Sequence, residues 1–196
     1  MRIISGMWKS RRLTSPKGMD VRPTSDKVKE AIFNIIRNRI AGSMALDLFA
    51  GTGSLGLELL SRGGVKVVFV EKNPYVLPVL KTNCNDIALP DQYRVIFMNY
   101  LDAIKFLSKE GQTFDIVFID PPYKSGLQLK ALTAISAGNL LVHDGIAVTE
   151  HDRIDFQPDV VGELVKIYER RLGNTCVTLY KRGRHLYESG NISGEF

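Results

Sequence analysis

The chain has 196 residues, 44% of them hydrophobic and 24% charged, which is enough apolar material for one globular core. No apolar run approaches the roughly 18 to 20 residues of a membrane helix, and the opening MRIISGMWKSRR lacks the apolar stretch of a signal peptide, so a membrane or secreted role is not expected and a cytoplasmic one is. The net charge of +5 is local: residues 1–30 hold eight Lys/Arg and three acids, and the other 166 residues carry 18 of each sign. A basic arm on a neutral body suits a polyanion such as nucleic acid, although a solvated face reads the same way.

In chain order, residues 1–22 form the basic arm, with a small β-hairpin expected around GMWKSRRL. RPTSDKVKEAIFNIIRNR then predicts a helix with Thr24 or Ser25 as N-cap and Val28, Ile32, Ile35 and Ile36 on one face. From residue 44 strand-like runs (44–50, 65–71, 93–98, 114–120, 145–151) alternate with amphipathic stretches (54–63, 73–87, 101–109, 127–138), which predicts βαβ units and a mainly parallel sheet. Pro78 should kink or restart the second of those helices. LVKIYERRL, the turn GNT and CVTLYKR read as an antiparallel hairpin. This ending favours the seven-stranded, Rossmann-like class I methyltransferase fold, whose last strand is antiparallel, over a dinucleotide-binding domain. The expected organisation is a domain over 23–183 and a flexible tail over 184–196.

The first chemical motif is LDLFAGTGSLG, in which Gly51, Gly53 and Gly56 follow a strand and open a helix, so that a ligand can approach the backbone. Glu71 ends the next strand, where an acid can hold both ribose hydroxyls of an adenosine cofactor; NAD and S-adenosylmethionine both satisfy that pattern. Asp47 tips the choice to S-adenosylmethionine, because a carboxylate there holds the cationic amino-acid end and repels a pyrophosphate. Thr52 and Lys72 are further cofactor candidates, and Phe49 either lines the pocket or joins the core. After the third strand, Asp102 and then Asn99 are candidates to bond the adenine amine, with Ala103 beside them; Asp102 equally suits a helix N-cap.

At the end of the fourth strand stands Asp120-Pro121-Pro122-Tyr123. Two prolines fix φ and remove two backbone donors, which leaves a rigid acceptor site. The Asp120 carboxylate and the Pro121 carbonyl can accept both N–H groups of a planar exocyclic base amine, and Tyr123 can stack on the base. That chemistry needs no metal, and His143, His151 and His185 lack ligand spacing. Cys84 and Cys176 are far apart and read as buried spectators.

Together LDLFAGTGSLG, VEKN, FIDPPY and MRIISG...RPTSDKVKEAIFNII resemble the RsmD family of bacterial 16S ribosomal-RNA guanine-N2 methyltransferases, from Met1 to about Arg182. The resemblance implies methyl transfer from S-adenosylmethionine to the N2 amine of one guanine, in 16S rRNA or in an assembling small subunit, by a monomer. In that reading Lys9, Arg11, Arg12, Lys17, Arg22 and Lys124 contact RNA, and Trp8 either stacks on a base or anchors the arm. An adenine-N6 DNA methyltransferase shares the Asp-Pro-Pro-Tyr pattern but normally needs a target-recognition region. A non-catalytic assembly factor on the same fold is the other alternative, against which the intact motifs argue.

Overall fold

The computed structural model describes residues 1–16, 25–122 and 125–183. Lys17, Arg22, Tyr123, Lys124, His185 and the expected tail over 184–196 therefore lie outside the described residues.

Five helices and eight strands follow one another in largely βαβ order: α1 (Asp26–Ile35), β1 (Met44–Asp47), α2 (Ser54–Ser61), β2 (Lys66–Glu71), α3 (Leu77–Ile87), β3 (Tyr93–Phe97), α4 (Tyr100–Lys109), β4 (Phe114–Ile119), α5 (Leu127–Ala137), β5 (Leu141–Asp152), β6 (Val160–Val161), β7 (Leu164–Leu172) and β8 (Thr175–Arg182). Ser25 is the N-cap of α1, its hydroxyl accepting from the Val28 N–H at 3.2 Å, and Asp26 adds an acid to the first turn. Pro78 restarts α3, sitting in its first turn where a missing N–H costs nothing.

The strand order is β3-β2-β1-β4-β5-β8-β7-β6. β1 to β5 are parallel, and β8 runs antiparallel to both β5 and β7. The hairpin turn is Gly173 and Asn174, with Leu172 opposite Thr175 and a positive φ of 69° at Gly173, as a two-residue connection needs. The sheet has one strand more than the seven expected. The addition is β6, two residues pairing with the start of β7 just past Pro158, too short for any alternation to announce it. β5 also starts earlier than expected, because Asp144 turns the chain at a φ of 65° and the register with β4 slips there.

Alternating strand residues feed two cores. Ala45, Val67, Phe69, Ile116, Phe118 and Val148 face α1, α2 and α3; Leu46, Val68, Val70, Val117, Ile119 and Ala147 face α4 and α5. The buried Cys84 and Cys176 are free thiols, and burial pushes the Cys84 thiol up to about 12. Among the described residues no helix is long and apolar enough to cross a membrane.

The arm folds back on itself through a single antiparallel bridge between Arg2 and Arg12. Ile3 and Leu13 enter the first core, and Trp8 packs against it in the anchoring role. Buried Glu58 of α2 fixes the arm: its carboxylate accepts the Ile4 N–H at 2.7 Å and the Ser5 N–H at 3.0 Å, and pairs with Arg62 at 2.7 Å and Lys29 at 3.5 Å. Lys29 is fully buried and donates to the Arg2 carbonyl at 2.5 Å and the Ser54 hydroxyl at 3.1 Å. Desolvation lowers its pKa, and Glu58 opposes that shift.

Candidate active site

The strand order reverses between β1 and β4, so loops leaving their carboxyl ends diverge and open a crevice. A cavity of about 420 Å³ lies there. The loop after β1 is pinned on both sides: the Leu48 N–H bonds the Phe118 carbonyl of β4 at 3.1 Å, and the Ala50 N–H bonds the Val70 carbonyl of β2 at 2.9 Å.

The three glycines of the motif do three different things. Gly51 lines the cavity, and its N–H donates to Glu71 Oε2 at 2.9 Å. Gly53 turns the chain into α2 at a φ of 82°, a left-handed conformation that disfavours other residues. Gly56 lies outside the lining, and a Cβ there would meet Phe69 Cε1 at 2.2 Å, so its role is the close seating of α2 on β2. Its N–H donates to Asp47 Oδ2 at 3.1 Å.

Asp47 is buried at the base of the cavity, and its carboxyl is pushed up to about 7. Burial is the main cause, with the charges of Asp120 and Glu71 adding to it and hydrogen bonds from Gly56 and Phe49 opposing it. A carboxylate so placed gains most from a cation. Glu71 lines the cavity and is held by two backbone donors, Gly51 on Oε2 and Asn73 on Oε1 at 2.7 Å, which fix its carboxylate. Phe49, Thr52 and Lys72 also line the cavity, and the ring of Phe49 sits 5.1 Å from that of Tyr100.

Asn99, Asp102 and Ala103 do not line it. Asn99 is the N-cap of α4, accepting the Asp102 N–H at 3.0 Å and donating to the Asp102 carboxylate. Both side chains are exposed and Ala103 is buried in the second core. Met98 and Tyr100 supply this part of the wall.

Asp120, Pro121 and Pro122 lie on the cavity opposite the glycine loop. The Pro122 carbonyl accepts the Ser125 N–H at 3.2 Å. Glu150 of β5 also lines the cavity, a residue the sequence reading passed over as part of an apolar strand. Since Ile119 pairs with Thr149, Asp120 and Glu150 stand level on neighbouring strands. Met1, Ser25, Val28, Ser54 and Thr175 are also on the wall, and the Thr52 hydroxyl bonds Met1 Sδ at 3.2 Å, so Met1 of the arm is part of the site. Among the described residues no group of His, Cys, Asp and Glu converges as a metal site. His151 is instead held between Thr178 Oγ1 and the Asp152 carbonyl, each at 2.8 Å.

Of the basic candidates, Lys9, Arg11 and Arg12 are exposed. The arm lies along α2: Met1 is beside Thr52 near the start of the helix, whereas the Met7 N–H reaches the Ser61 carbonyl at its end. Lys9 is thus about one helix length, roughly 12 Å, from the cavity end of α2.

A switch-point cavity with a glycine loop, the acids Asp47 and Glu71 on its wall and Asp-Pro-Pro at its rim defines a class I S-adenosylmethionine-dependent methyltransferase. Solved structures agree: yhhF of Escherichia coli superposes with a TM-score of 0.80 at 32% identity, covering 93% of this chain and 97% of that one. The model of the family described as conserved hypothetical protein 95 matches residues 1–181. The chain belongs to that family, the RsmD family of methyltransferases. YlbH of Bacillus subtilis (strain 168) is 40% identical over 182 residues, 93% of this chain and 99% of that protein. The ribosomal RNA small subunit methyltransferase D of Escherichia coli (strain K12) is 32% identical over 182 residues, with 93% and 90% covered.

Proposed function

We propose that this protein transfers a methyl group from S-adenosylmethionine to the exocyclic N2 amine of a guanine in small-subunit ribosomal RNA, acting as a cytoplasmic monomer. The observation that carries the reading is the placement of Asp120 and Pro121 on the same cavity as Asp47 and Glu71. Membership of a family whose relatives include ribosomal RNA small subunit methyltransferase D points to the substrate.

In this reading Asp47 holds the ammonium of the cofactor and Glu71 its ribose, with Asp102 or Asn99 reaching the adenine from outside the lining. The cofactor supplies an electrophilic methyl group. Asp120 and the Pro121 carbonyl accept the two N–H groups of the base amine and hold its nitrogen in line for attack, while Pro122 keeps that backbone rigid and offers no competing donor. The Pro122 carbonyl is already occupied by Ser125, so the Pro121 carbonyl is the one assigned to the substrate. As charge develops on nitrogen, the Asp120 carboxylate stabilises it and receives the proton that the nitrogen sheds. Tyr123 stacks on the base, and Lys124, Arg22 and the arm cations Lys9, Arg11, Arg12 and Lys17 meet RNA phosphates.

The test is methyl transfer by the purified protein to 16S rRNA and to small-subunit particles, followed by nucleoside analysis. N2-methylguanosine at one position is expected. Methylated adenine, or transfer to DNA and not to rRNA, would replace this reading with the adenine-N6 alternative, and cofactor-independent RNA binding without transfer with the assembly-factor one.

A further inference from the structure

Beyond β5 the chain forms a short loop at the carboxyl edge of the sheet, the same edge on which the cavity opens. β5 continues two residues past Glu150 to Asp152, which pairs with Thr175, itself a cavity residue. The loop is rigidly made: Asp152 Oδ1 accepts the Ile154 N–H at 3.3 Å, Asp155 Oδ2 accepts the Asp152 N–H at 3.3 Å, and the Arg153 N–H bonds the Asn174 carbonyl of the adjacent turn at 3.0 Å. Its return is anchored by buried Gln157, whose carbonyl accepts from Lys166 Nζ at 3.1 Å, and by Pro158, whose carbonyl accepts from the Tyr180 hydroxyl at 2.7 Å. Asp152 and Asp155 are turned to the loop's own backbone, and Asp159 at its end pairs with Lys166 Nζ at 2.9 Å. Its apolar side chains are turned out: Ile154 is 76% and Phe156 83% exposed. Arg153 is exposed in the same loop, and Arg171 at the end of β7 is exposed next to the adjoining turn, its Nε donating to the Gly173 carbonyl at 3.1 Å.

Single exposed apolar residues are ordinary, but an aromatic ring held outward on a hydrogen-bonded loop, flanked by arginines and next to a reaction cavity, has the composition of a nucleotide-stacking site. β5 neighbours β4 at one strand spacing, about 5 Å, and the loop leaves it two residues beyond Glu150, about 7 Å past the level of Asp120, the reach of a nucleotide or two. An enzyme acting on a base amine takes its target out of the stack and grips the flanking nucleotides. We infer that Phe156 is a stacking platform for an unpaired base of the substrate RNA next to the methylated one, with Arg153 neutralising the adjoining phosphate. This rests on the RNA reading above.

Steady-state transfer to rRNA by Phe156→Ala, Phe156→Leu and Phe156→Trp tests it. Loss of one base stack should raise KM about 5- to 150-fold in the Ala and Leu variants, with Trp near the parent. The turnover number, S-adenosylhomocysteine affinity and Tm should not move. In Arg153→Gln the salt slope of RNA binding should fall by up to about 0.7 log units. An unchanged KM in Phe156→Ala overturns the platform, as does a Leu variant equal to the parent, since a merely apolar contact with a protein tolerates leucine and a base stack does not. Absence of rRNA methylation by the parent protein itself would sink the functional reading first, before any variant is compared.

Discussion

The Gly56 N–H donates to Asp47 Oδ2 at 3.1 Å across the glycine loop, so one residue both seats α2 on β2 and holds the Asp47 carboxyl at the base of the cavity. Separating the two roles gives a direct prediction. Gly56→Ala places a methyl 2.2 Å from Phe69 Cε1, and overpacking of this kind costs about 1–3 kcal/mol or more. Phe69→Leu combined with it should recover part of the loss in urea unfolding, and cofactor affinity should recover in parallel. Failure of the second substitution to help would mean that the glycine is needed for something other than space.

The carboxyl of Asp47, normally at 3.8, is raised to about 7. A raised acid favours the folded, ligand-free protein while it is protonated, so that contribution is full below 3.8 and is lost as pH rises through about 7. Cofactor binding has the opposite sign, since the ammonium needs the ionised form. S-adenosylhomocysteine affinity should therefore climb up to about tenfold per pH unit below 7 and level off above it. In Asp47→Asn calorimetry should find weaker binding with that pH dependence gone. A flat profile in the parent protein would remove the carboxylate from ammonium recognition.

Asp120→Ala should abolish transfer while leaving cofactor affinity within a few-fold, because its carboxylate acts as charge develops on the substrate nitrogen. The direction of the small residual change is also set. Asp120 raises the Asp47 carboxyl, so its removal makes Asp47 easier to ionise and should shift the midpoint of the binding profile to lower pH.

Lys29→Met leaves Glu58 buried with fewer partners. Breaking one side of a buried pair costs about 3–5 kcal/mol, which chemical denaturation reads directly. Because Lys29 Nζ also holds the Arg2 carbonyl and the Ser54 hydroxyl, protease cleavage within the first sixteen residues should accelerate in the same variant.

Replacing Lys9, Arg11, Arg12 and Lys17 together by glutamine should weaken rRNA binding and flatten its salt dependence by about 0.7 to 0.9 log units per lost contact. The effect should fall on KM, with cofactor affinity unchanged. An unaltered salt slope would assign these charges to solvation of the arm.

Much of this architecture is visible in local pattern. Alternating runs marked β1 to β5, and Ser25, Pro78 and the Gly173 turn announced where elements start or reverse, because each acts on its own few neighbours. Asp47, Gly51, Glu71, Asp120 and Pro121 could be placed on one cavity because a parallel sheet brings its strand ends to one edge. What stayed hidden depends on distance along the chain. Glu150 meets the cavity only through the pairing of β5 with β4, and Glu58 looks like an ordinary helix acid until the Ile4 and Ser5 amides are seen to reach it. Asn99 and Asp102 show a different limit: the motif located them to one turn, but which side chain of that turn faces inward depends on where α4 begins.

The docked arm also bears on how the chain is made. The Ser5 carbonyl accepts from the Ser61 hydroxyl, 56 residues later. At about 5–20 residues per second of synthesis, the first segment waits roughly 3–11 s for the helix that receives it. During that interval Ile3 and Leu13, destined for the core, are bare on a nascent chain. Arg2 stands beside Ile3 and Arg12 beside Leu13, with Lys9 and Arg11 between, and charges flanking an apolar segment suppress its self-association.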